Sequence, residues 1–182
     1  MYFFKDKIGF VKSVGAAVAA SLLLTATASA APAKRFVLAA FQDAPGGEAI
    51  VAGDYQGGLA AIAARGSERH KAATAINLCV AHAALGHRAE ARAACDEAVH
   101  AAKLERRFST ELSTRSSASR TLAMAYSNRA VMHFLSQNAL GATEDFARAA
   151  ALAPREDFVA QNLEKLRSMQ MTPVQVAKSP DS

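Results

Sequence analysis

The chain has 182 residues, with 21 Lys and Arg against 16 Asp and Glu and a net charge of +5. Lys5, Lys7, Lys12 and Asp6 all fall in the first thirty residues; the remainder carries 18 basic against 15 acidic side chains, an excess of only +3. That excess is too mild, and too little interleaved with aromatic residues, for nucleic-acid binding, while abundant alanine, sparse β-branched residues and the lack of tryptophan favour closely packed helices over a sheet.

The N-terminus has the layout of a secretory signal. Basic Lys5, Lys7 and Lys12 precede an apolar run from Val14 to Leu24, and Ala28-Ser29-Ala30 is a small-x-small cleavage pattern. The run is 11 residues long, too short for a hydrocarbon core of about 30 Å. Cleavage between Ala30 and Ala31 is therefore expected, delivering a periplasmic or secreted chain of 152 residues, one domain's worth, that makes no membrane contact afterwards. No cysteine lies near the cut, so a lipid anchor is not expected.

Residues 31–47 then read as a flexible leader. Phe36, Val37, Leu38 and Phe41 within it are apolar enough to pack as an arm. Pro45-Gly46-Gly47 breaks the chain before a short helix at Glu48 to Ala52. Gly53-Asp54-Tyr55 with Leu59, Ala60, Ile62 and Ala63 reads as a turn and the second helix of a degraded unit.

Two clearer units follow, at about 72–102 and 123–154. In the first, Asn77 to Leu85 forms a helix ending at Gly86, and Glu90 to Val99 forms a second. In the second, Asn128 to Leu135 and then Gly141 to Ala153, closed by Pro154, repeat the plan. These units resemble the tetratricopeptide repeat, whose signature is small residues where paired helices cross, a large residue one turn on, and a closing proline. Ala142, Phe146, Ala149 and Pro154 match it, as do Ala91, Cys95 and Ala98, with Cys79 and Ala130 at the small positions of the first helices. At about 8–10 Å between axes only small side chains fit the crossing. Asn77 and Asn128 are equivalent but 51 residues apart, 17 more than the expected period of about 34. An elongated insert at about 103–119 accounts for the excess, with Ser113, Ser116 or Ser117 expected to cap the following helix. Phe158, Leu163 and Leu166 mark a capping helix at about 156–169, and residues 171–182 read as a disordered tail.

The expected fold is thus all-α: a short stack of antiparallel helical hairpins over residues 48–170, a fragment of a tetratricopeptide-like α-solenoid with a C-terminal capping helix. Cys79 and Cys95 lie about eight residues either side of the turn near Gly86, at equal height on facing helices. In an exported chain this favours a disulfide, although two free cysteines would serve the motif equally well. A zinc site is not expected, because the five-residue step from Cys95 to His100 turns the two ligands about 140° apart.

The sequence has no nucleophile elbow and no phosphate loop, and Asp96-Glu97 and Glu144-Asp145 read as solvated helix faces. The chain is therefore expected to be non-enzymatic and to need no cofactor. The resemblance implies a groove lined by the first helix of each hairpin, here Ile76, Val80, Ala83 and Ala84 with Ser127, Val131, Phe134 and Leu135. The lysines and asparagines by which some family members capture a C-terminal carboxylate are not at these places. An apolar peptide or amphipathic helix from a protein partner is the expected ligand. With so few repeats, the leader, the insert or a second copy could equally cover the groove, and a weak homo-oligomer or a self-associating structural bundle is the competing expectation.

Overall fold

A computed structural model of the chain describes residues 35–65 and 71–170. The signal, its cut between Ala30 and Ala31, and the tail at 171–182 lie outside these residues. The described part is all-helical, built from α1 (Gly47–Val51), α2 (Tyr55–Ala64), α3 (Ala72–Ala84), α4 (Arg88–Phe108), α5 (Leu112–Leu135), α6 (Ala139–Leu152) and α7 (Asp157–Gln170). No described helix is long and apolar enough to cross a membrane.

Local chemistry sets the helix ends. Asp54 caps α2 by accepting from the Gly57 amide at 2.8 Å, and Asn138 caps α6 by accepting from the Gly141 amide at 3.0 Å. At the end of α3, Gly86 adopts a left-handed φ of 75°, and the His87 amide reaches back to the His82 carbonyl at 3.0 Å. The end of α5 repeats this with Gln137 at φ 61° and the Asn138 amide on the His133 carbonyl at 2.9 Å. Both turns span three residues and fold the chain straight back.

Two hairpins result, α3 with α4 and α5 with α6. They lie side by side through α4 against α5 and α3 against α5, while α2 covers α3 and α7 covers α5 and α6. Ala91, Ala98, Ala142 and Ala149 are fully buried at the crossings, where the missing bulk lets the helix backbones approach. Phe146 fills the hole beside them in one hairpin. In the other, Cys95 and Cys79 meet at bonding distance, Sγ–Sγ 2.04 Å, closing a disulfide between α3 and α4.

The extra residues of the insert do not form a separate element. They lengthen α4 to 21 residues and α5 to 24, joined by a bend at 109–111. The start of α5 differs from the expectation: Glu111, in extended conformation, takes the N-cap position with no side-chain cap, and Ser113, Ser116 and Ser117 sit inside the helix. A helix needs no hydroxyl cap where its first amides face water.

The leader differs in part. Expected to be flexible, with apolar residues able to pack as an arm, from Arg35 to Phe41 it does pack, as an extended segment without regular secondary structure laid across α7, α5 and α3, with Ala39 buried. Val37, Ala39 and Phe41 pack with the main core around Ile76, Leu122 and Phe158, whereas Phe36, Leu38 and Ala40 join satellite clusters with Val80, Val131 and Phe146. This alternation is the period of two that extended chain imposes. An arm apolar on both faces has no stable place in water, and burial at about 25 cal/mol per Å² drives it onto the helices.

Candidate functional site

The arm lies along a channel whose polar floor is three buried asparagines, one each on α3, α5 and α7. Asn162 accepts from the Val37 amide at 2.7 Å and donates to the Val37 carbonyl at 2.9 Å. Asn128 does the same for Ala39, at 2.9 and 2.8 Å, and Asn77 for Phe41, both at 2.8 Å. Residues two apart on an extended chain present amide and carbonyl to the same edge. The three carboxamides therefore stand where a neighbouring β-strand would, and all three are fully buried. The contacts are to main chain alone, so this floor reads an extended backbone, not a particular sequence.

Apolar walls complete the channel. The Phe36 ring packs against Phe134 at 4.8 Å between centroids and stacks on Phe146 at 5.7 Å. Such pairs add about 0.5–1.5 kcal/mol beyond their buried area. Of the groove residues expected from sequence, Ile76, Val80, Val131 and Phe134 share clusters with arm side chains, and the Ser127 hydroxyl accepts from Asn162 at 2.9 Å, holding that carboxamide in place. The other three lie elsewhere. Ala83 packs beside the disulfide, and Ala84 and Leu135 are exposed, because they are the last residues of their helices and lie past the reach of the arm.

The asparagines were not among the groove residues expected from sequence. Asn77 and Asn128 follow Ile76 and Ser127 directly, and Asn162 comes 34 residues after Asn128, one repeat period on. That spacing was the available signal for Asn162.

A second polar cluster lies on α5 and α6. Asp145, expected on a solvated face, is 1% exposed. Arg129 grips it through Nε at 2.6 Å and a second nitrogen at 3.1 Å, Arg148 adds a bond at 2.8 Å, and His133 Nε2 stands 3.7 Å away. Burial works against the Arg129 charge, yet the hydrogen bonds and charge of Asp145 outweigh it and raise the guanidinium pKa above its ordinary value. Lys103, Arg129 and Arg148 also surround the Tyr126 ring at 5.6–5.7 Å. This network ties α5 to α6. Among the described residues no group of three or more His, Cys, Asp or Glu is placed to hold a metal ion, and the disulfide removes both thiols as ligands.

No family model, curated protein or solved structure matches the chain.

Proposed function

We propose that the protein is a non-enzymatic interaction scaffold of the tetratricopeptide-like class, exported to an oxidising compartment, whose channel seats an extended apolar strand. The observation that carries this reading is the ladder formed by Asn77, Asn128 and Asn162, each pairing with both backbone groups of one strand residue. Such a floor discriminates against a helical ligand, whose backbone groups are already paired internally and would leave three buried carboxamides unsatisfied. The 34-residue step between Asn128 and Asn162 supports the repeat class, and the pairing of Cys79 with Cys95 is compatible with an extracytoplasmic location.

A self-associating structural bundle is the second reading. It is favoured by Phe108, 74% exposed, and Leu112, 86% exposed, flanking the bend between α4 and α5. A photo-cross-linking residue at Leu135, beside the Phe134 wall, tests the two in the native envelope. The scaffold reading expects adducts that map to an extended segment seated in the channel, from a different chain or from residues 36–41 of a second copy; adducts that map only to the bend around Phe108 and Leu112 of another copy move the assignment to the structural bundle. N-terminal sequencing of the exported protein is expected to begin at Ala31, and a start at Met1 removes the compartment assignment.

A further inference from the structure

Neither kind of contact between arm and body depends on the two belonging to one chain. The polar contacts are six hydrogen bonds between arm backbone and Asn77, Asn128 and Asn162, three donated by arm amides and three by the asparagines. The apolar contacts come from side chains at 36–41, alternating between clusters. The covalent link is one turn, residues 42–46, in which glycine lets the backbone approach closely. Gly46 holds a left-handed φ of 71°, a Cβ at Gly47 would fall 1.8 Å from the Phe41 carbonyl oxygen, and Asn77 also donates to the Pro45 carbonyl at 3.3 Å. A short, tight hinge next to an element held by transferable contacts is the arrangement that exchanges between identical chains, because the same bonds re-form in the neighbour while the hinge opens.

We propose that the channel is an interaction surface for a second copy of this chain. Residues 36–41 of one copy seat on the asparagine ladder of the other, and the reciprocal exchange gives a two-fold dimer. This rests on the channel being a seat for an extended strand and adds which molecule supplies the strand.

Two complementary variants of the mature chain test it. A donor with Asn77→Ala, Asn128→Ala and Asn162→Ala keeps its arm but has no ladder. An acceptor with Val37→Pro and Ala39→Pro keeps the ladder but offers an arm without two of the required amide donors. Mixed in equal amounts, they are expected to form a one-to-one heterodimer by native mass spectrometry, while neither dimerises alone. A synthetic peptide of residues 35–42 supplies the strand without the hinge. If the acceptor binds this peptide but not the donor chain, exchange is overturned and the reading of the channel stands. If it binds neither, both fall. Should a variant fail to fold, wild-type chains of two isotopic masses, unfolded in urea with the disulfide intact and refolded together at high concentration, are expected to give mixed dimers. Monomers alone in that experiment overturn the exchange.

Discussion

Asn128 and Ala39, 89 residues apart in the chain, exchange two hydrogen bonds across the middle of the channel, amide to Oδ1 at 2.9 Å and Nδ2 to carbonyl at 2.8 Å. Both residues are buried, so neither the carboxamide nor the backbone pair has water as a substitute. Asn128→Ala leaves a buried amide and a buried carbonyl unpaired, at a cost of about 1–3 kcal/mol for each such group. The expected loss is about 2–6 kcal/mol in urea unfolding. Asn128→Asp keeps the shape and the acceptor but buries a charge and loses the donor, and is expected to be at least as damaging. A loss below 0.5 kcal/mol for the alanine variant would mean that the arm is not held there, about half the contribution of a single typical hydrogen bond.

The disulfide closes a loop of 16 residues between α3 and α4. Loop-closure entropy for a ring of about that size amounts to roughly 3 kcal/mol. Cys79→Ala with Cys95→Ala is expected to lower stability by that order while leaving the helical circular dichroism intact, since alanine suits both crossing positions. Alkylation of the untreated protein should label no thiol; two labelled cysteines would refute the bond.

Removing Arg129 strands Asp145, which is 1% exposed, with Arg148 as its remaining close partner. Breaking a buried pair from one side costs about 3–5 kcal/mol. Because Arg148 stays, Arg129→Met is expected near the lower end of that range. Asp145→Asn with Arg129→Met, which removes both charges, is expected to recover part of the loss. No recovery in the double variant would place the cost in the packing of Arg129 on Tyr126 instead.

How much of this was legible in the sequence divides by the reach of each interaction. Gly86, the small residues at 91, 98, 142 and 149, and the closing Pro154 act within a turn or across a hairpin, and they mark the hairpins correctly. The apolar residues at 36–41 marked the leader as able to pack as an arm over the groove, but its seat was not legible, because its partners lie 36, 89 and 125 residues away and its apolar side chains carry no register of their own. Asn77 and Asn128 stood out only as equivalent positions. Their purpose follows from the strand they face. Asp145 was misread because its local neighbours, Glu144 and Arg148, suit an exposed helix face; its burial comes from Arg129 sixteen residues earlier. The serines of α5 looked like caps by composition, but the helix starts before them, its first bond running from the Arg115 amide to the Glu111 carbonyl at 2.8 Å.

His82 gives the structure an acid sensitivity. Partial burial, then the nearby His87, lower its pKa below the ordinary 6.5, against the opposing pull of Glu90; the two Nδ1 atoms are 3.4 Å apart. The unfolded chain therefore binds a proton more readily than the folded one. Stability contributed here is complete well above pH 6.5 and falls as the pH drops through and below that value. His82→Gln is expected to flatten the decline between neutral and mildly acidic pH in a thermal unfolding series. An unchanged slope would assign the acid sensitivity to other groups.

The central claim is that the arm is seated on the asparagine ladder, and amide hydrogen exchange of the mature protein by NMR tests it most directly. The Val37, Ala39 and Phe41 amides, each bonded to an asparagine Oδ1 at 2.7–2.9 Å, are expected to exchange slowly and at similar protection. Exchange of all three at the rate of free chain, while the amides in the middle of α3 and α5 stay protected, would contradict it.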